Sequence, residues 1–150
     1  MVDYWTPHVT VAVIVERSGK YLFVRENTDQ GVRLNQPAGH VEQGETLAQA
    51  ACRETLEETG YQVSLNGFVS LTSYTAASNG TTYFRATFSA NDAKQIPNAT
   101  LDPEIIEPVW LSREELEQQR RIWRSPLVGD VIDQYIKHGT QSLELGTLHR

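Results

Sequence analysis

The segment Gly39-His40-Val41-Glu42-Gln43-Gly44-Glu45-Thr46-Leu47, continued by Arg53-Glu54-Thr55-Leu56-Glu57-Glu58-Thr59-Gly60-Tyr61, decides how the chain is read. It predicts a tight loop followed by one short helix. Thr46 with Gln49 three residues on forms a capping box, and Gly60 is the expected stop. At about 100° per residue, Glu54, Glu57 and Glu58 share one face, which leaves Ala48, Cys52, Leu56 and Thr59 as the expected core side. An acidic helix face is ordinarily just solvated. Here like charges stand at i,i+3 and i,i+4, repelling by roughly 0.2–0.5 kcal/mol per pair. Glu57 and Glu58 also occupy the last turn, where the helix dipole prefers cations. Arg53 is the only nearby positive charge. A helix that gathers negative charge at its negative end is explained by a bound cation, and carboxylate oxygens suit Mg²⁺, or Mn²⁺, rather than zinc.

The spacing resembles the Nudix box, G-x5-E-x7-R-E-U-x-E-E-x-G-U, over residues 39–61. Gly39, Glu45, Arg53, Glu54, Glu57, Glu58 and Gly60 are all in place; Thr55 and Tyr61 stand where the pattern has aliphatic residues. The resemblance implies that Glu57 and Glu58 are the main metal ligands. Glu54 would act as ligand or general base, the Gly39 carbonyl would join the metal, and Arg53 would pair with Glu45 to brace the loop. It also implies a further acidic residue from a later loop, for which Asp102 and Glu104 are the candidates and Glu104 is preferred. Outside the box, Pro7-His8-Val9-Thr10-Val11-Ala12, Asn35-Gln36-Pro37-Ala38-Gly39-His40 and Arg124-Ser125-Pro126-Leu127-Val128 resemble the bacterial NudJ-type branch. Gln36, His40 and Arg124 are accordingly expected at the substrate. Arg25, Arg33 and Arg85 are further cations that could meet phosphates.

The whole chain, residues 1–150, is read as a single domain with no repeat or linker. No apolar run approaches a membrane span, and the N-terminus lacks a signal-peptide pattern, so the expected address is the cytoplasm. The lone Cys52 has no intramolecular partner and is expected to be a structural thiol. Nineteen acidic against thirteen basic residues give a net charge of −6, which argues against nucleic acid as a partner. A small polyphosphate remains compatible, because bound divalent cations reverse the sign locally. Monomer and homodimer are both open.

Around the box, a β-branched run at 9–15 predicts a central strand, and Ser18-Gly19 a turn into a second strand at 20–26. Residues 27–33 read as a loop. Strand segments are expected at 61–63 and 67–75 with a turn at Asn66-Gly67, then at 81–90 and 105–111, with a polar loop at 91–103. Ser112 with Glu115 caps a short helix, and Ser125-Pro126 starts another that Gly139 closes. The tail from Thr140 shows no period. Strands interrupted by one mid-chain helix predict a mixed α/β (α+β) fold. The Nudix resemblance implies the same α/β/α sandwich with a mixed sheet. It further implies a Mg²⁺-dependent hydrolase releasing terminal phosphate from nucleoside di- or triphosphates or thiamine-pathway pyrophosphates. Alternatives are a Nudix enzyme on another diphosphate (a sugar-nucleotide, a dinucleoside polyphosphate, or a triphosphate cut to monophosphate and pyrophosphate), and a catalytically silent nucleotide sensor. A sensor would be expected to have lost box carboxylates, and all are present here.

Overall fold

The computed structural model describes residues 1–146. Strand β1 (His8–Arg17) is the hub. Most of its length pairs in parallel with β6 (Thr82–Gln95), from His8 opposite Tyr83 to Val15 opposite Ala90. On its other side β1 divides. Thr10 to Ala12 pair with the short β4 (Ala38–His40), while only Glu16 and Arg17 pair with β2 (Lys20–Thr28). The sheet therefore opens into a cleft between β1 and β2. Beyond it lie β3 (Gly31–Asn35) and β7 (Ile105–Leu111) flanking β2, and β5 (Tyr61–Thr75) forms the far edge against β6. One parallel pair among antiparallel ones makes the sheet mixed.

Alternation along β1 and β6 supplies both faces with apolar side chains. Val11, Val13, Ala86 and Phe88 pack under Ala50 and Ala51 of helix α1 (Leu47–Thr59). Ile14, on the opposite face, packs with Val128, Val131 and Ile132 of α3 (Leu127–His138) and Leu116 of α2 (Arg113–Gln118). The expected α/β/α layering follows. No helix among the described residues is long and apolar enough to cross a membrane.

Several expectations are corrected. Residues 27–33 are not a loop: β2 runs on to Thr28 and turns into β3. The Thr28 hydroxyl closes that turn by accepting from Gln30 N and donating to Gly31 O. Asn66-Gly67 is not a turn but part of an irregular, bulged stretch in one continuous strand. Gly67 is needed for close approach instead, since a Cβ there would lie 2.5 Å from Thr140. The segment after Gly139 is docked as far as residue 146: Phe68 N donates to Gln141 O at 3.0 Å and Gln141 N to Phe68 O at 2.7 Å. The last residues of the tail lie outside the described ones.

Candidate active site

Helix α1 starts and stops where its sequence signals stand. The capping box of Thr46 and Gln49 is complete, and Gly60 closes the helix with a φ of 76°. Its buried face is rotated from the one expected, however. Ala50, Ala51, Thr55, Glu58 and Thr59 are buried, while Leu56 is 38% exposed. Thr55 fits an apolar site because its hydroxyl donates back to Ala51 O at 2.8 Å. Cys52 is half-buried, with its thiol 3.8 Å from Val63 O and its pKa raised by burial, as suits a structural thiol.

Arg53 organises the loop–helix unit. Its Nε and Nη2 form a fork on the two Glu45 oxygens at 2.6 and 2.9 Å, and Nη2 also donates to His40 O at 3.0 Å. Nη1 reaches Glu54 Oε1 at 2.9 Å and Glu57 Oε2 at 3.2 Å. One cation thus braces the 39–45 loop and orients two of the clustered carboxylates. Gly39 is set by a close approach: a Cβ there would fall 2.1 Å from the Glu54 carboxyl carbon. No other residue leaves room for Glu54 beside the β4 backbone.

Glu58 is the buried member of the set, 5% exposed, and accepts from Ala38 N at 2.8 Å. Burial pushes its carboxyl up to about 9, against the opposing Ala38 bond and with Glu26, Glu54 and Asp102 adding to the rise. Glu54 is raised as well, by burial first, with Arg53 opposing. Asp102 joins the two halves of the acidic wall. Glu54, Glu57 and Asp102 present carboxylate oxygens within 4.8 Å of one another, and so do Glu58, Asp102 and Glu104. Asp102 is placed by its own backbone, whose N–H donates to Glu57 O at 2.9 Å at the helix end. Both sequence candidates, Asp102 and the preferred Glu104, therefore reach the acidic wall, and Asp102 is the residue common to both groups.

The donor set fits a hard divalent cation. It consists of carboxylates with no thiol, and Glu58 is buried without an ion-pair partner among the described residues, so that it resists ionising until positive charge is supplied.

A cleft of about 890 Å³ adjoins this wall, a size suited to a nucleotide-scale ligand. Gly39, His40, Glu54, Glu58, Asp102 and Glu104 line it together with Tyr74, Asn79 and Tyr83, whose ring meets that of His40 edge-on. His40 reaches it with its ring 2.9 Å from His8 Nδ1, and burial lowers its pKa. Arg124 lines the cleft, bonded to the buried Glu26. Gln36 does not line it: only 1% exposed, it bonds Val128 O and Arg85 instead, each at 2.7 Å. Of the other cations, Arg33 and Arg85 line the cleft, whereas Arg25 is held away by Glu107 and Gln119. Trp123 does not line the cleft either, its ring edge packing against Gly129 of α3, and Trp5 meets Phe84 edge-to-face outside the cleft wall.

The NUDIX domain family matches residues 6–130. Phosphatase NudJ of Escherichia coli K12 is 37% identical over 139 residues, covering 93% of this chain and 90% of that one. The solved structure of a NUDIX hydrolase from Nitrosomonas europaea superposes with a TM-score of 0.91 at 39% identity, over 97% of each chain. A MutT NUDIX hydrolase from Burkholderia pseudomallei shares the fold at a TM-score of 0.74 and 19% identity. With Glu54 and Glu58 lining the cleft, Glu57 clustered with Glu54 and Asp102, and these relatives spanning nearly its full length, the chain belongs to the Nudix hydrolase family.

Proposed function

We propose that this hydrolase is a Mg²⁺-dependent phosphatase that releases the terminal phosphate from nucleoside di- or triphosphates or thiamine-pathway pyrophosphates. The observation that carries the reading is the convergence of Glu54, Glu57, Glu58, Asp102 and Glu104 beside one open cleft. Resemblance to a phosphatase over nearly the whole chain supports the choice of terminal cleavage.

Glu57, Glu58, Glu54, Asp102 and Glu104, with the Gly39 carbonyl, are the groups that would hold Mg²⁺, with Mn²⁺ as a substitute. When bound, the metal supplies charge neutralisation on the phosphoryl oxygens and a more acidic water. The protein's own part is orientation and proton handling. Arg53 holds Glu54 Oε1, leaving Oε2 to take a proton from the attacking water. Burial raises Glu54 toward the basicity such a step needs. Water oxygen bonds to the terminal phosphorus, the bridging P–O bond breaks, and its electron pair leaves on the retained phosphate.

The 1–150 chain acts as one catalytic unit on a small-molecule substrate, as a monomer or homodimer, without nucleic acid. A cytoplasmic address is supported by the single cysteine.

The test is a phosphate-release screen over nucleoside di- and triphosphates, sugar-nucleotides and thiamine diphosphate, with Mg²⁺ and with chelator, in water labelled with heavy oxygen. Label in inorganic phosphate, abolished by chelator, is expected. Pyrophosphate and a monophosphate from a triphosphate would reject terminal cleavage.

A further inference from the structure

The polar face of β6 carries one charge. Arg85 is only 6% exposed, yet it reaches the cleft wall. Its Nη2 donates to Gln36 Oε1 at 2.7 Å, and Gln36 is itself fixed through Nε2 to Val128 O at 2.7 Å. Its Nε is fully buried without a partner. Nη1 makes no bond within the described protein and is not sealed away like Nε, so it is the nitrogen open to the cleft.

Of the neighbouring arginines, Arg124 and Arg33 line the cleft and Arg25 and Arg53 do not, and each has an oxygen partner within the protein. Arg124 holds Glu26, Arg25 holds Glu107, Arg53 forks onto Glu45, and the exposed guanidinium of Arg33 bonds Val32 O. No ion pair among the described residues includes Arg85. A guanidinium taken out of water needs an anion to offset its desolvation, and a single neutral amide does not supply one. Burial lowers its pKa to about 10, with the Glu58 charge opposing, so it remains cationic at neutral pH.

Position says which anion is missing. Arg85 pairs with Thr10 on β1, and Thr10 with His40 on β4, so the three share one row across the sheet. Thr10 and His40 line the cleft beside Gly39 and Glu54. A ligand reaching the acidic wall thus lies over the row that carries Arg85.

We propose that Arg85 anchors the diphosphate of the substrate, with Nη1 donating to the phosphoryl group that stays on the product. The inference rests on the phosphatase reading above. As water adds to the terminal phosphorus and the bridging P–O bond breaks, the electron pair and its negative charge pass to the retained phosphate, and the water proton passes to Glu54. A fixed guanidinium at the retained group meets that charge as it develops. Gln36 is then a positioning residue that sets the Arg85 rotamer without touching the substrate.

The experiment compares the wild-type protein with Arg85→Met and Arg85→Lys by calorimetric binding of methylenediphosphonate in Mg²⁺ buffer, alongside thermal melting and steady-state kinetics. Arg85→Met should bind methylenediphosphonate roughly 100-fold more weakly, with a melting temperature equal to or above wild type. Arg85→Lys keeps the charge but loses the planar fork, and should weaken binding by about 10-fold. It also serves if the Met variant does not fold. Unchanged methylenediphosphonate affinity in either folded variant would overturn the proposal, as would a loss seen only as a fall in melting temperature. A wild-type protein that releases no phosphate yet binds methylenediphosphonate through Arg85 would reject the phosphatase reading and keep the anchor. An active wild type with unaltered binding in the variants would do the reverse.

Discussion

Helices α1 and α3 are nearly the same length and lie on opposite faces of the same sheet, yet they obey different rules. α3 follows helix physics throughout: Asp130 stands in its first turn, Lys137 and His138 in its last, and Val128, Val131 and Ile132 fill its buried face. α1 has no acid in its first turn and no base in its last, and it buries a carboxylate among alanines and threonines. α3 is built to hold the fold, whereas α1 accepts local electrostatic cost in order to present Glu54, Glu57 and Glu58 together.

The sharpest way to break this contrast is to neutralise charge on each helix. Glu57→Gln or Glu58→Gln should lower turnover roughly 10³-fold or more, about 4 kcal/mol of barrier, with the fold intact by circular dichroism. Near-normal phosphate release from either variant would remove α1 from its catalytic role.

Packing gives the next largest difference. Ile132→Ala on α3 should cost about 2–5 kcal/mol in urea unfolding, because the side chain is fully buried. Leu56→Ala on α1, expected from sequence to be a core substitution, should cost less than about 1 kcal/mol because Leu56 is exposed.

A third comparison uses pH. The Glu58 carboxyl titrates near 9 in the fold against an ordinary 4.5, so its neutral form stabilises the metal-free protein at low pH. That contribution is lost as pH rises from the ordinary carboxylate range toward 9. The metal-free melting temperature should therefore fall across this window, and Glu58→Gln should flatten the slope. Added Mg²⁺ should stabilise the wild type more at pH 8 than at pH 5, since binding requires the ionised form. A metal-free melting curve with no such pH slope would show that Glu58 is already ionised. The smallest effect belongs to the dipole. Lys137→Gln should cost α3 only about 0.3–1 kcal/mol and leave kinetics unchanged, which melting and rate measurements together would check.

What could be read from sequence was what is local in sequence. The box, both capping boxes, the Gly60 and Gly139 stops and the strand β7 all depend on residues within a few positions of one another, and each stands where its signals placed it. What sequence left open depends on distant chain. Asp102 gains its place from a backbone bond to Glu57, and Gln36 is drawn inward by Val128 and Arg85. Asn66 reads as a turn residue until β6 runs past it, where its side-chain oxygen accepts from Ser89. Arg85 did leave a trace, as a lone arginine inside a strand whose neighbours Ala86 and Phe88 are core residues. The trace shows that the charge is unusual, and only the cleft shows what it faces.

The docking of Gln141 on Phe68 has a consequence for how copies of the protein coexist. β5 is the outermost strand beside β6 and fifteen residues long, and an edge of that length offers unpaired backbone groups to any passing strand. Gln141 occupies those groups at Phe68, and Thr140 sits where the missing Gly67 side chain would be. The C-terminal segment is therefore a guard on the sheet margin. A chain ending at Gly139 should keep its cleft and its carboxylates but lose colloidal stability, and light scattering that climbs with protein concentration would register the bared edge.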